Sequence, residues 1–184
     1  MSDIRQVLLC GIGGQGVVTA GKLLGGAAFS EGMQVSGTSS YGAAARGGEC
    51  RSEVVVSDAP IAFPFLTTAD ILVALSQTAY ERYLDWTAHE TALVFFDTLL
   101  VEPVPDSDRR HIGIPATKSA EESLGTKLGA NIVILAAAVK YAGIVGKESL
   151  VKAVTDLSPG RFRDHNLRAL ELGFQIGSDR LRDC

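Results

Sequence analysis

The stretch Gly11-Ile12-Gly13-Gly14-Gln15-Gly16 constrains this chain most, because an apolar run precedes it and a helix-like pattern follows it. Val7, Leu8, Leu9 and Cys10 read as a buried strand, and Val17 to Phe29, rich in Ala and Leu, reads as a helix. A glycine-dense turn between strand and helix lets the backbone approach a partner closely, commonly a phosphate on the helix N-terminus. Gly11, Gly13 and Gly16 match the dinucleotide pattern G-x-G-x-x-G. The acidic residue that should hold a ribose about 20 residues further on is missing, since that region reads Ser36-Gly37-Thr38-Ser39-Ser40. Three readings of the turn stay open: a nicotinamide site, contact with another phosphate or nucleotide, and tight packing of helix on sheet or of subunit on subunit.

Strands and helices alternate beyond this point. Met33 to Thr38 reads as a second strand, Ser39 to Gly48 as a loop, and Cys50 to Val56 as a strand with Arg51, Glu53 and Val55 on one face. Ile71 to Leu75 and Leu93 to Phe96 read as short buried strands around a helix over Gln77 to Ala88. Ile112 to Thr117 reads as a last, edge-like strand. The remaining third reads as helical: Ser119 to Leu128, Ala130 to Ala142, Lys147 to Leu157 and Phe162 to Ile176, with a break at Ser158-Pro159-Gly160. The expected fold is α/β and Rossmann-like, a mostly parallel sheet with helices on both faces and a helical C-terminal third. Residues 1–184 are expected to form one domain. In such folds ligands sit at the carboxyl ends of the strands, where both the Gly11–Gly16 turn and the Ser39–Gly48 loop are expected.

Seventeen basic against 21 acidic side chains leave a net charge of −4, which provides no electrostatic footprint for nucleic acid. Cys10, Cys50 and Cys184 are scattered, with no C-x-x-C, so neither a zinc nor an iron–sulfur site is expected on this chain alone. The apolar stretch Ile132 to Val145 is interrupted by Lys140 and too short to span a membrane. Met1 to Gln6 shows no secretory pattern. A cytoplasmic chain with free thiols is expected.

The loop Ser39 to Gly48 joins one aromatic, Tyr41, and one arginine, Arg46, to small residues and to Gly47 and Gly48. Arg46 suits a carboxylate or phosphate, while an ordinary loop with Arg46 paired to a nearby acid is the plainer alternative. His165 reads as a local cap or surface contact, His89 and His111 as solvated residues of polar connections, and Asp58, Asp70 and Asp97 as turn residues. No nucleophile–base pair, paired carboxylates or metal cluster can be assembled, which points to a component of something larger.

Three runs carry a resemblance: Gly11-Ile12-Gly13-Gly14-Gln15-Gly16-Val17, then Ala20-Gly21-Lys22-Leu23-Leu24, then Ser40-Tyr41-Gly42 with Arg46-Gly47-Gly48. With Val54 to Asp58, Ile114-Pro115-Ala116 and Asn131-Ile132-Val133, they resemble the gamma subunit of 2-oxoacid:ferredoxin or flavodoxin oxidoreductases over about Val7 to Ile176. The resemblance implies an enzyme that converts a 2-oxoacid and coenzyme A to an acyl-CoA and carbon dioxide, passing two electrons to ferredoxin. It implies thiamine diphosphate and magnesium on alpha and beta partner subunits, with 4Fe-4S clusters on beta or on a ferredoxin-like delta subunit. This chain would scaffold the complex and share in coenzyme A binding through Gly11, Gly13, Gly14, Gln15, Gly16, Tyr41, Arg46, Gly47 and Gly48. The loop is similar to the 2-oxoglutarate type, although Ala43-Ala44-Ala45 replaces the usual Pro-Glu-x before Arg46. The alternatives are the beta subunit of indolepyruvate oxidoreductase and a stand-alone nucleotide-binding domain. Isolated, the chain is expected to be inactive and prone to homodimerise through surfaces meant for its partners.

Overall fold

The computed structural model describes residues 4–42, 48–88, 90–105 and 108–182. Six strands form one sheet: β1 (Ile4–Ile12), β2 (Gln34–Tyr41), β3 (Glu49–Ser57), β4 (Ile71–Ala74), β5 (Leu93–Asp97) and β6 (Arg110–Ile114). The helices are α1 (Val17–Ser30), α2 (Gln77–Tyr83), α3 (Ala116–Leu124), α4 (Ala130–Ala142), α5 (Lys147–Leu157) and α6 (Gly160–Arg182). Sheet order is β2-β3-β1-β4-β5-β6. β3 pairs antiparallel with β1 and with β2, while β1, β4, β5 and β6 pair parallel. Five strands therefore run one way and β3 alone runs back, which agrees with the mostly parallel sheet expected.

Alternation divides the core between the faces. Val7 and Leu9 of β1, Val54 and Val56 of β3, and Phe95 of β5 pack with α1 and α4. Leu8, Cys10, Leu72, Val94 and Phe96 point the other way, against Ala79, Tyr80 and Tyr83 of α2. Every residue from Ile132 to Val139 of α4 is buried. A helix apolar on all sides needs cover on all sides, and α4 has it, lying between the sheet and α6. Among the described residues no helix is long and apolar enough to cross a membrane.

Three boundaries differ from expectation. Ser39 to Tyr41 extend β2 instead of starting the loop, because their backbones pair with Ser52, Arg51 and Cys50 of β3. Ala116 and Thr117 open α3, since Pro115 ends the strand and serves as the N-cap. The last helix starts at Gly160 and runs on to Arg182.

His111 is also corrected: it lies half-buried on β6, away from the polar connections where sequence placed it. Its Nδ1 must donate to the Arg109 carbonyl (3.2 Å), so its Nε2 accepts from the Tyr80 hydroxyl at 2.8 Å. That hydroxyl in turn accepts the Val104 amide at 3.0 Å. Burial pushes the imidazole below its ordinary value; the carbonyl bond partly offsets this, and the Arg109 charge adds to the depression. The unfolded chain therefore binds this proton more readily than the folded one. Stability from neutral His111 is complete above the ordinary value of 6.5 and falls as pH drops from there toward the depressed folded value. Urea unfolding at pH 7.5 and 5.5 should show a larger acid loss for the wild type than for His111→Gln. Equal losses would disprove this linkage.

Candidate functional site

The chain leaves β1 toward α1 and β2 on one side of the sheet, and β4 returns on the other side of β1. This reversal opens a crevice at the carboxyl ends of β1 and β4. The glycine turn lines it.

Within the turn, Gly14 (φ 104°) and Gly16 (φ 74°) adopt left-handed conformations that L side chains avoid. Gly16 is the N-cap of α1. A Cβ there would lie 2.5 Å from Nδ2 of Asn131, which donates to the Gly16 carbonyl at 3.0 Å. The starts of α1 and α4 are thereby tied together. Gln15 crosses the turn: its Oε1 accepts the Ile12 amide at 2.7 Å and its Nε2 donates to the Leu75 carbonyl at 2.6 Å. Gly11 makes room for this amide, because a Cβ on it would sit 2.5 Å from Oε1. Gln15 thus clamps the ends of β1 and β4.

Register brings the second motif to the first. Cys50 pairs with Tyr41 on one side and Gly11 on the other. Beyond the strands, the Gly13 amide donates to the Gly48 carbonyl at 2.8 Å, and the Gly42 amide to the Glu49 carbonyl at 2.7 Å. Tyr41 is 67% exposed at this rim. Arg46 and Gly47, expected at this site, lie outside the described residues. Cys50 is buried beside the first turn of α1, and burial pushes its thiol up while the Val18 amide works against that shift.

The crevice continues as a cleft of about 620 Å³. Leu75, Leu100, Leu128 and Phe162 form its apolar lining; Thr19, Thr117, Lys127, Asn131, His165 and Asn166 contribute polar groups. Several of these are already engaged. His165 Nε2 donates to the Leu128 carbonyl at 2.8 Å, and the Thr117 hydroxyl donates to buried Asp97. Asp97 also accepts the Thr117 and Leu99 amides at 2.8 and 3.0 Å, so it caps α3 from the end of β5. The amides of Gly14, Gly16, Val17 and Thr19 meet no acceptor among the described residues. They stand at the positive end of a helix of 14 residues. This arrangement can hold an anion against the backbone. It offers hydrogen-bond donors and an apolar wall, and His165 and Thr117 are engaged in holding the protein together.

A more open groove of about 760 Å³ lies on α6, lined by Lys140, Lys147, Arg168 and Glu171, away from the glycine turn. Among the described residues no group of three His, Cys, Asp or Glu side chains is placed to hold a metal ion.

Sequence reasoning singles out both loops that meet here but gives no bracing role to Asn131 or Thr117 and reads Asp97 only as a turn residue. Asn131 is polar at the start of a helix that is otherwise apolar to Val139, and that lone polarity was the available signal. Asp97 and Thr117 meet only through folding. The strand order also explains the missing ribose acid. In dinucleotide folds the second strand lies next to the first, whereas here β3 separates β2 from β1. An acid at the end of β2 would stand two strands from the turn.

The family model described as pyruvate ferredoxin/flavodoxin oxidoreductase matches residues 6–176. The 2-oxoglutarate synthase subunit KorC of Methanocaldococcus jannaschii is 40% identical over 178 residues, covering 95% of each chain. The ketoisovalerate oxidoreductase subunit VorA of Methanothermobacter marburgensis is 34% identical over 172 residues, which are 91% of this chain and 35% of that one. Among solved structures, the gamma subunit of a keto/oxoacid ferredoxin oxidoreductase from Geobacter sulfurreducens superposes with a TM-score of 0.83 at 32% identity. That match covers 95% of this chain and 99% of the other.

Proposed function

The chain belongs to the pyruvate ferredoxin/flavodoxin oxidoreductase family, and from that premise we propose that it is the gamma subunit of a 2-oxoglutarate:ferredoxin oxidoreductase. The reaction joins 2-oxoglutarate and coenzyme A into succinyl-CoA and carbon dioxide, with two electrons passing to ferredoxin or flavodoxin. The observation that carries this reading is the 40% identity to KorC across 95% of both chains. Thiamine diphosphate, magnesium and 4Fe-4S clusters belong on the alpha, beta and ferredoxin-like subunits in this reading, and they supply decarboxylation and electron transfer there. This chain braces that assembly in the cytoplasm.

Its own chemical share is to hold coenzyme A. The amides of Gly14 and Gly16, which stand at the start of α1 and meet no acceptor among the described residues, suit the coenzyme's phosphates. Gly13 is not a donor in this scheme, because its amide is spent on Gly48. Gln15 acts as the clamp beneath the site, and Tyr41 and Gly48 belong to its rim. Arg46 supplies the charge that pairs with a phosphate.

The tagged chain, purified from its native cells without oxygen, should bring larger subunits with thiamine diphosphate. The preparation should reduce a viologen dye with coenzyme A and 2-oxoglutarate in preference to pyruvate, branched 2-oxoacids or indolepyruvate. A cofactor-free chain without partners would overturn the reading. Arg46→Ala should raise the apparent KM for coenzyme A about tenfold, the effect of losing one charge-assisted bond, with assembly intact. An unchanged KM removes that role for Arg46.

A further inference from the structure

β2 closes one side of the sheet. Gly42, opposite Glu49, donates to its carbonyl, so alternate residues of β2 turn their backbone toward β3. Ser36, Thr38 and Ser40 face β3; the amides and carbonyls of Val35, Gly37, Ser39 and Tyr41 point outward. Those outward groups have no backbone partner among the described residues. The strand Gln-Val-Ser-Gly-Thr-Ser-Ser-Tyr carries no charge and no proline, and its register with β3 is unbroken over all eight residues. Free edges are ordinarily blunted by charge, proline, bulges or shortness. The opposite edge, β6, follows that rule, with five residues beginning at Arg110.

A second feature adjoins this edge. The segment leading from β3 to β4 is tied to it by the Ser36 hydroxyl, which donates to the Pro64 carbonyl at 2.6 Å. Flanking Pro64, Phe63 and Phe65 stack edge to face with centroids 5.5 Å apart, and they are 57% and 54% exposed. Two rings held together in water, beside an edge strand that has no outward partner among the described residues, form a surface built to be covered.

The relatives indicate the occupant. In VorA the matching residues make up 35% of a longer polypeptide, so there a domain like this one is covalently joined to a larger body. KorC matches this chain over 95% of its own length, so in a KorC-like subunit the same connection is made by contact. We propose that the outward edge of β2, with Phe63 and Phe65, docks the larger chain that corresponds to the remainder of VorA. That chain would add a strand to β2 and receive the two rings in an apolar recess. The inference rests on the gamma-subunit reading.

The test uses the complex formed by coexpressing the tagged chain with the larger subunits encoded in the same cells. Three variants address the surface: Ser39→Pro, which removes an outward amide; Gly37→Lys, which charges the edge; and Phe63→Ser with Phe65→Ser. A Cβ on Gly37 meets nothing closer than the Glu53 carbonyl at 3.9 Å, so the site has room. Leu181→Ser, on exposed α6, is the control. With melting temperatures near that of the wild type, the three should retain at least tenfold less larger chain, and the control should retain it fully. Full retention by folded variants overturns the docking surface and leaves the gamma reading standing. A wild type that captures no larger chain overturns both. A dimer of the isolated chain that Ser39→Pro dissociates, with retention unchanged, assigns the edge to a second copy and also overturns the proposal. If Ser39→Pro fails to fold, the two other variants decide, since their side chains lie at the surface.

Discussion

Gly173→Ala is expected to destabilise the protein by about 2–3 kcal/mol, the upper range for overpacking a tight contact. On helix propensity alone the change should help, since alanine is better than glycine in a helix by about 1 kcal/mol. Packing reverses the sign. Gly173 faces α4, where a Cβ would overlap the Val133 carbonyl oxygen and lie 2.7 Å from the Ala136 Cβ. One turn later, a Cβ on Gly177 would lie 2.7 Å from the Ala137 carbonyl oxygen. The obstacle is backbone, which cannot rotate away, so α6 has to move off α4 as a body. Because α4 also packs on β4 and β5, the shift reaches the core. Thermal unfolding should show a fall of about 5–10 °C. Gly160→Ala is the contrasting substitution, because nothing lies within 4 Å of a Cβ there; it should be neutral or slightly stabilising. A Gly173→Ala protein as stable as wild type would show that the two helices do not pack this closely.

Asp97→Ala is expected to cost about 3–5 kcal/mol, the sum of several donors left buried without an acceptor. Asp97 is fully buried and receives the Thr117 amide, the Thr117 hydroxyl and the Leu99 amide. Removing it strips α3 of its cap and frees the residues that lead from β5 into the cleft wall at Leu100. Asp97→Asn keeps the shape and one oxygen, so it should cost less than half as much. Urea unfolding of the three proteins decides between these outcomes. Equal stability of Asp97→Ala and wild type would mean that water satisfies the three donors. The same variant should also loosen the cleft, which would appear as faster amide exchange at Thr117 and Leu99.

Much of the architecture was legible because it depends on local pattern. The run Val7 to Cys10 before a glycine turn, the Ala- and Leu-rich stretch after it, and the break at Ser158-Pro159-Gly160 each act within a few residues. The helices Ala130–Ala142 and Lys147–Leu157 occupy the spans their patterns predict. Where local pattern misleads, a distant partner decides the matter. Ser39 to Tyr41 look like loop residues, yet they are strand because β3 supplies the ladder. His111 looks solvated from its polar neighbours, yet Tyr80, more than 30 residues away, takes its Nε2.

The sequence by itself determined the alternation of strands and helices, the two glycine-bearing loops and, through their residues, the family. Those are properties of neighbours in the chain. Only the tertiary structure decided that β3 turns back between β2 and β1, and that Gly48 therefore meets Gly13. It also decided that Gln15 bridges to Leu75 and that Asn131 braces Gly16. These bonds join residues separated by 60 and 115 positions. A hydrogen bond requires atoms within about 3 Å in the right direction, and no local pattern records which remote backbone group folding will bring there.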